Sequence, residues 1–466
     1  MKKKIIASLA AAAALSLGVF SGCMFSTSVS VTSIEKTSSV GLVDYYTVTY
    51  SNGTTSQFTV TNGRDGVNGT DGRDAQSVTA EEVYETYKQV YRDDEMTFKE
   101  FCEKYLTVNT DTNAALNMAL RSCMKVYTAF RESYMSSKPS MYCGSAVIYK
   151  MESDYTYILT NYHVVYDSKA YGSNKISTEI SAYLYGSESS PYLNDYETGF
   201  VYDDYTIKCD YIGGAINYDV AVIRASTADI KRINPQAIPV SVNYNYSVGD
   251  NTYAVGNPDD GGISVTEGIV SVDSDYVELS IDGNERTYRS IRTDTALTHG
   301  NSGGGLFNMQ GQLIGLNNAG DGEITSMNYA IPASILTGIA DGVMYYHSAN
   351  GAKCTYRTLL GVTSQSENSR YVYDETTGGG HIEENVVIKS VNQGSLAEAL
   401  KLEVGDIITG VTFNGRKYEI SRQYQIADLL LNVRASDTIK IHYTRSGQAS
   451  ETKEMAVRGS DIDKID

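Results

Sequence analysis

The chain has 466 residues, of which 56 are acidic and 38 basic, and its formal net charge at pH 7 is −18. A protein this acidic is not attracted electrostatically to nucleic acid or to anionic lipid, which argues against both as partners. The length allows two or three domains.

The N terminus has the pattern of a secretory signal peptide over residues 1–22. Three lysines follow Met1, an apolar run extends from Ile5 to Phe20, and the small residues Ser21 and Gly22 come next. The apolar run is too short for a transmembrane helix. Removing this segment takes away three lysines and moves the formal charge from −18 to −21.

The residues Ser21-Gly22-Cys23 resemble the end of a bacterial lipobox, in which the cysteine is lipidated and becomes the mature N terminus. The alternative is an ordinary signal peptide with an incidental cysteine. We expect lipidation at Cys23, and hence a secreted protein that is lipid-anchored to the extracytoplasmic face of a bacterial cell membrane.

The remaining cysteines give no support to a metal site. None of the five stands in a C-x-x-C pair or near a histidine at ligand spacing. An odd number cannot all pair, and the sequence leaves open whether any do. They are Cys102, Cys123, Cys143, Cys209 and Cys354.

Residues 23–77 are expected to form a Ser/Thr/Gly-rich extension. The alternation in YYTVTY and SQFTV predicts a small hairpin around Ser51-Asn52-Gly53. The glycine triplets of GRDGVNGTDGRD form a collagen-like spacer that is too short for a stable triple helix. A helical spacer follows over residues 78–112, opening on a capping box of Thr79 and Glu82. The N-terminal extension is therefore expected to be non-globular and helical.

Short strand patterns with turn signals occupy residues 113–350, with no long helices expected between them. Many such strands predict a mainly β domain, a barrel or a sandwich. After about Tyr356 the pattern becomes mixed, with strands such as NVVIKSV and DIITGVTF and the helical segments SLAEALKL and RQYQIADLLLNV. Residues 356–460 are therefore expected to form a separate small α/β domain.

Ser302 lies in the glycine-rich string GNSGGG, residues 300–305. Glycines around a serine allow a tight turn that brings backbone N–H groups close to a bound carbonyl. The string also matches G-x-S-x-G, the nucleophile elbow of α/β-hydrolases, which requires a helix after the serine. Here a turn and a strand follow, so that class is excluded by context.

A base for this serine must come from one of five histidines, and His163 at the end of the apolar strand ILTNYH is the best candidate. The simpler interpretation is a half-buried histidine with a structural role. His299 is only three residues from Ser302 and would point along the same loop. The other three histidines lie beyond the β domain or near its end.

Asp219, which precedes the apolar strand VAVIRA, is the best candidate for the carboxylate that orients the imidazole. Its nearest competitor, Asp210, has the pattern of a turn or exposed strand. The chain order His, Asp, Ser is that of the chymotrypsin-like double β-barrel and differs from the subtilisin order.

Several segments resemble the HtrA (Deg) family of trypsin-like serine proteases: ILTNYHVV, NYDVAVIRA, AVGNP, SVTEGIVS, IRTDTALTHGNSGGGLFNMQGQLIGLNNA and MNYAIP. The resemblance spans residues 113–455 and implies two six-stranded barrels with the active site in the cleft between them. It implies that His163 is the general base, Asp219 its orienting partner and Ser302 the nucleophile. The N–H groups of Gly300 and Ser302 would form the oxyanion hole, with Asn301 between them.

The same resemblance implies unfolded or misfolded proteins as substrates, no cofactor, and a homotrimer as a possible assembly. Two departures from the family pattern stand out. His299 occupies a position where the family usually has proline. A Tyr/Ser-rich stretch over residues 167–199 lengthens the interval between His163 and Asp219, and we expect it to form a long surface loop near the cleft.

In this fold the base of the S1 pocket comes from the segment about six residues before the serine, here Ala296 and Leu297. The opposite wall is expected at Leu316, Asn317 and Asn318. None of these residues is charged, so the sequence predicts a small or medium apolar P1 residue.

The C-terminal domain resembles a PDZ domain of the same family through TLLGV, VVIKSVNQGSLAEALKLEVGDIITGV and IADLLLNV. Such domains bind a peptide C terminus on a loop of backbone N–H groups. The resemblance places that loop at Leu359, Leu360, Gly361 and Val362, with Ile426 and Leu430 on the apolar helix beside it. The alternative is a purely structural module.

Two further hypotheses belong to other classes of protein. The first is a non-catalytic, chaperone-like surface protein that captures unfolded polypeptides through its cleft and PDZ domain. The second is a lipid-anchored adhesion scaffold in which the N-terminal region is functional. The complete set of histidine, aspartate and serine argues for the protease.

Overall fold

The computed structural model describes residues 31–40, 43–50, 55–61, 88, 112–133 and 138–465, the last range with gaps at 173, 188, 195, 197, 282, 321–326 and 375–378. The chain divides into two compact units, Met1–Thr107 and Val108–Asp466. The predicted signal peptide, Cys23 and the collagen-like spacer lie outside the described residues. So does the predicted helical spacer, apart from Lys88 and its last residue, Thr112.

The described part of the first unit is a three-stranded antiparallel sheet. It consists of β1 (Val31–Val40), β2 (Val43–Tyr50) and β3 (Thr55–Thr61), in the order β1-β2-β3. Strands β2 and β3 form the hairpin that the alternation in the sequence predicted.

The second unit opens with helix α1 (Thr112–Ser122) and a closed six-stranded barrel. Apolar side chains on the inner face of its strands form a buried cluster that includes Val126, Ile148, Ile158 and Ile223. The barrel strands are β4 (Cys123–Phe130), β5 (Ser140–Met151), β6 (Tyr155–Asn161), β7 (Glu179–Leu184), β10 (Ile207–Ala215) and β11 (Val220–Ser226). Outside it lie helices α2 (Tyr162–Val165) and α3 (Thr227–Ile233) and a ribbon of β8 (Tyr192–Leu193) and β9 (Phe200–Val201).

A second closed barrel of six strands follows. Its strands are β12 (Asn251–Gly256), β13 (Ser264–Ile281), β14 (Asn284–Thr293), β15 (Gly305–Asn308), β16 (Leu313–Gly320) and β17 (Asn328–Pro332). The predicted double-barrel fold is therefore confirmed. Strands β13 and β14 are longer than predicted and extend together as a hairpin.

Helix α4 (Ala333–Asn350) follows the last barrel strand, in a segment for which the sequence predicted no helix. Its buried residues Ile335, Leu336, Ile339 and Val343 follow a helical spacing and belong to a core cluster with side chains of both barrels. The helix ends at Gly351, whose φ of 73° suits a left-handed C-cap.

The C-terminal part has its own hydrophobic core beneath a seven-stranded sheet. Its main path is β19 (Val362–Asp374), β20 (Gly379–Val391), β21 (Ile407–Phe413), β23 (Thr438–Arg445) and β24 (Gln448–Glu451). Strand β22 (Arg416–Glu419) pairs with β21, β25 (Met455–Ala456) with β23, and β18 (Thr355–Thr358) with β26 (Ile462–Ile465). Two helices complete it, α5 (Leu396–Ala399) and α6 (Gln423–Leu430).

The α/β character expected of this C-terminal part is observed. In the described part of the chain, no helix combines the length and the apolar character needed to cross a membrane.

Candidate active site

His163 and Asp219 are brought together by the register of two paired strands in the first barrel. Val220, at the start of β11, lies opposite Asn161 at the end of β6. Because Asp219 comes just before Val220 and His163 two residues after Asn161, the two side chains meet at the same end of this strand pair. Asp219 has a left-handed backbone, with φ of 55°, and is fully buried.

The two side chains form a close hydrogen-bonded pair. His163 Nδ1 lies 2.7 Å from Asp219 Oδ2, and the backbone N–H of His163 donates to Asp219 Oδ1 at 2.9 Å. Burial by itself would lower the pKa of the His163 imidazole. The charge of Asp219 and its hydrogen bond outweigh that effect and raise the pKa above its ordinary value of 6.5.

Asn318 is a third member of this cluster, with a role that differs from the one predicted. Its Nδ2 donates to Asp219 Oδ2 at 2.7 Å, and its side chain is buried. The amide therefore holds the Asp219 carboxylate, whereas the sequence predicted a pocket wall. The one sequence signal for this contact is the position of a polar residue near the end of the apolar run LIGL.

The neighbouring residues Leu316 and Asn317 correct the predicted pocket wall further. Leu316 is fully buried in the core cluster, and the Asn317 amide donates to the backbone oxygens of Gly305 and Val255. Both residues are fully buried, so neither presents its side chain to a pocket.

Ser302 lies on the loop between β14 and β15, next to the first barrel. Its carbonyl accepts a hydrogen bond of 2.8 Å from the backbone N–H of Ser145 on β5. Its hydroxyl donates to the carbonyl of Asn318 at 2.8 Å. Asn318 therefore connects the serine, through its backbone, with Asp219, through its side chain.

Gly300 makes the tight turn of this loop possible. Its φ is +91°, and a Cβ there would lie 2.2 Å from the carbonyl oxygen of Asn257, so no other residue fits. Within the described residues, the N–H groups of Gly300 and Ser302 donate to no protein acceptor. Two unoccupied backbone donors this close to a serine hydroxyl are what an oxyanion hole requires.

Other contacts hold the residues around Gly300 in place. Asn301 is buried, and its backbone N–H donates to the carbonyl of Thr298 at 3.1 Å. His299 has an exposed side chain, and its carbonyl accepts a 2.7 Å hydrogen bond from the N–H of Asp259. This hydrogen bond restrains the loop at His299, the position where the family that the sequence resembles usually has a proline that stiffens the backbone.

The predicted base of the S1 pocket is uncharged and accessible. Ala296 is exposed, and Leu297 is partly buried against the second barrel's core. Asp210, the rejected candidate, has a side chain that is 76% exposed and lies 3.8 Å from Arg224. The predicted surface loop over residues 167–199 is only partly a loop, because β7 within it pairs with β4 and β10.

The loop and helix predicted for peptide binding lie at one side of the C-terminal sheet. Gly361 has a φ of +79°, and the N–H groups of Leu360 and Gly361 find no backbone acceptor among the described residues. Leu359 is exposed, whereas Leu360, Ile426 and Leu430 are buried in the core of this part. Val362 begins β19, the edge strand of the sheet's described path.

In the part of the chain that the structure describes, no group of three or more His, Cys, Asp or Glu side chains is placed to hold a metal ion. The cysteines among the described residues are free thiols, namely Cys123, Cys143, Cys209 and Cys354.

Comparison with known proteins agrees with this geometry. The model of the trypsin-like peptidase domain matches residues 144–316, which contain His163, Asp219 and Ser302. The serine protease Do-like HtrA of Lactococcus lactis subsp. cremoris (strain MG1363) is 25% identical over 373 residues, covering 74% of this chain and 82% of that protein.

A second relative is the serine protease Do-like HtrA of Bacillus subtilis (strain 168). It is 28% identical over 323 residues, which cover 66% of this chain and 62% of that protein. A solved structure of the HtrA-type protease AlgW with a decapeptide has 23% identity and a TM-score of 0.43, covering 75% of this chain and 98% of that one.

The double barrel and the matched domain define a trypsin-like serine endopeptidase. Within that class, the similarity to the HtrA proteases of Lactococcus lactis and Bacillus subtilis supports the HtrA/Deg type.

Proposed function

We propose that His163, Asp219 and Ser302 form the catalytic triad and hydrolyse peptide bonds through an acyl-enzyme. The observation that carries the proposal is the hydrogen-bonded pair of His163 and the buried Asp219, with Asn318 linking it to Ser302. An imidazole held by a buried carboxylate is a suitable general base for a serine hydroxyl.

In the proposed reaction, His163 removes the proton of Ser302 as Oγ attacks the substrate carbonyl. The N–H groups of Gly300 and Ser302 stabilise the oxyanion, with Asn301 shaping the turn between them. His163 then gives its proton to the leaving amine as the peptide bond breaks. Water, activated by the same histidine, hydrolyses the ester and restores the serine, while Asp219 stays ionised throughout.

The proposed substrates are unfolded or misfolded proteins that are cleaved after small or medium apolar residues. Ala296 and Leu297 supply no carboxylate, so a Lys or Arg side chain would be buried without a partner. A cleavage-site profile on a denatured proteome tests this, with Ser302→Ala as the inactive control. We expect Val, Ala, Leu or Ile at P1, and frequent cleavage after Arg would contradict the pocket assignment.

The proposed domains are a protease domain over residues 113–350 and a PDZ domain over residues 356–460 that binds substrate C termini. Two unoccupied backbone N–H groups, those of Leu360 and Gly361, support carboxylate binding at this loop. The edge strand β19 supports the addition of a peptide strand beside it. A non-catalytic role in capturing polypeptides is less favoured, because it does not require the His163–Asp219 pair.

The proposed location is the extracytoplasmic face of a bacterial cell membrane, with attachment through lipid on Cys23. An acidic body offers no polybasic second anchor, so acyl chains would have to hold the protein. Cys23→Ala should release the protein from membranes or cause its precursor to accumulate, and unchanged membrane association would contradict the lipid assignment. A homotrimer is part of the proposal, which sedimentation of the mature protein would test.

A further inference from the structure

The loop from His299 to Gly303 must keep a fixed shape if two of its N–H groups are to point at one oxyanion. Its own sequence does not impose that shape, because glycine adopts many backbone conformations. Gly300 and Gly303 both have positive φ angles, +91° and +87°. Contacts from outside the loop therefore have to orient its peptide planes.

Ser145, on β5 of the first barrel, makes two of these contacts. Its backbone N–H donates to the carbonyl of Ser302 at 2.8 Å. Its hydroxyl lies 2.7 Å from the carbonyl oxygen of Gly300. The side chain is only 1% exposed, so water does not compete for these bonds.

The direction of the hydroxyl bond is unambiguous. Ser145 Oγ also accepts a hydrogen bond of 2.8 Å from the backbone N–H of Asn257. Since that N–H can only donate, the single proton of the hydroxyl is available to Gly300 and points at its carbonyl. One hydroxyl thus joins the loop after β12 to the loop that carries the nucleophile.

This bond fixes the peptide plane between Gly300 and Asn301. The carbonyl of Gly300 is held by Ser145, and the N–H of Asn301 at the other end of the plane donates to Thr298. Rotation of this plane would change the angle between the N–H groups of Gly300 and Ser302. Those are the two groups that the proposed mechanism assigns to the oxyanion.

We propose that Ser145 is a positioning residue of the oxyanion hole, which acts by holding the Gly300 carbonyl through its hydroxyl. This inference rests on the proposed triad and oxyanion hole. Without the hydroxyl, the Gly300 carbonyl loses its partner, the buried N–H of Asn257 is left unpaired, and the glycine is free to turn.

The test compares Ser145→Ala with Ser177→Ala. Ser177 is a matched control because it is also buried in the first barrel, where its hydroxyl donates to the carbonyl of Ala129 at 2.8 Å and accepts from backbone N–H groups. We expect Ser145→Ala to lower kcat about 10- to 100-fold with little change in KM, since loss of one oxyanion donor costs about 10²- to 10³-fold. Ser177→Ala should keep kcat.

A second measurement separates positioning from general loss of structure. A peptide boronic acid, which forms a tetrahedral adduct with the serine, should lose affinity for Ser145→Ala in proportion to kcat/KM. A product peptide with a free carboxylate and the same sequence should bind the protease cleft of this variant about as well as that of the wild type. Equal losses for both ligands, or an unchanged kcat, would overturn the inference.

If Ser145→Ala does not fold, Ser145→Cys takes its place, because the thiol fills the site but is a weak donor. A Cys variant with wild-type kcat would equally overturn the inference. Failure of the proposed function has a different signature: wild-type protein and Ser302→Ala would then be equally inactive, whatever residue stands at position 145.

Discussion

The carboxylate of Asp219 accepts three hydrogen bonds in a fully buried position. Two come from His163 and one from Asn318. These bonds hold the carboxylate in one orientation. In the proposed mechanism it fixes the imidazole and balances the positive charge that forms there during acylation.

Asp219→Asn should therefore reduce kcat by about 10⁴-fold, because the amide favours the wrong tautomer of His163. Asp210→Asn is the matched control, since this side chain is 76% exposed and lies 3.8 Å from Arg224. Hydrolysis of a small peptide substrate provides the measurement. If Asp210→Asn were the damaging change, the triad assignment would be wrong.

The pH dependence of activity should reflect the pairing of His163 with Asp219. The imidazole must be neutral to accept the proton of Ser302, so activity falls when the pH drops below its pKa. Because the carboxylate raises that pKa, the acid limb of kcat/KM should lie above pH 6.5.

Removing the charge of Asp219 should shift the acid limb of the pH profile to lower pH. In Asp219→Asn the imidazole loses the partner that stabilises its protonated form, so the limb of the residual activity should shift to lower pH. A limb that stays in place in this variant would show that another group controls the profile.

Some residues of the candidate site have a local signal in the sequence, and others have none. The proposed triad could be selected from the sequence because each member stands in a distinctive local string. The contacts of Asn318 and Ser145 could not be predicted, because both arise between segments that are far apart in the chain. A serine within the strand pattern GSAVIYK carries no local signal that its hydroxyl bonds to Gly300.

At the scale of elements, helix α6 and strand β19 border the groove that is proposed to bind a peptide. Gln423, at the start of α6, reaches across it: its Nε2 donates to the carbonyl of Ser364 at 2.7 Å, and its Oε1 accepts from Ser366 Oγ at 3.1 Å. A peptide strand added beside β19 would have to displace this side chain.

Gln423→Ala should therefore increase the affinity for a peptide with an apolar, free C terminus, by about 3- to 10-fold, the range expected for one hydrogen bond. Gln448→Ala, on β24 at the other end of the sheet, should have no effect. Calorimetry with the full-length Ser302→Ala protein measures this without cleavage.

The same peptide with an amidated C terminus tests the groove itself. It should bind both variants more weakly than the free acid, because the carboxylate accepts charge-assisted hydrogen bonds from the loop. Equal affinity for the free and amidated peptides would reduce the C-terminal part to a structural role.

The barrel strands were predictable as elements because they are short runs rich in apolar and β-branched residues, bounded by turn signals. Helix α4 was missed although Ile335, Ile339 and Val343 follow a helical spacing. Its two glycines and the Tyr-Tyr pair lower the local helix propensity, and packing against both barrels stabilises the helix instead.

At the scale of the whole molecule, buried ion pairs join the protease barrels to the C-terminal part. Arg289 on β14 pairs with Asp428 on α6, and both side chains are almost inaccessible. Arg422 pairs with Asp273 on β13 at 2.6 Å. The extended hairpin of β13 and β14 is thus the main polar contact of helix α6 with the barrels.

Asp428→Asn should lower the free energy of unfolding by about 3 kcal/mol, because it leaves the buried guanidinium of Arg289 without a counter-charge. Glu152→Gln breaks an exposed pair with Lys150 and should change stability by less than about 1 kcal/mol. Thermal unfolding of both variants gives the comparison. Similar effects of the two changes would mean that the pair is not buried in solution.

These contacts could not be predicted from the sequence. The charged residues of a strand and of a helix more than a hundred positions away have no local pattern that connects them. The change from a strand-rich to a mixed α/β segment, by contrast, could be predicted, since their strand and helix patterns differ along the chain.

The central claim is that Ser302 is an activated nucleophile, and labelling with a serine-reactive peptidyl phosphonate tests it most directly. We expect one phosphonate per wild-type chain, located on Ser302 by peptide mass mapping, with strongly reduced labelling in Asp219→Asn and none in Ser302→Ala. Undiminished labelling of Ser302→Ala, or no labelling of folded wild-type protein, would contradict the account.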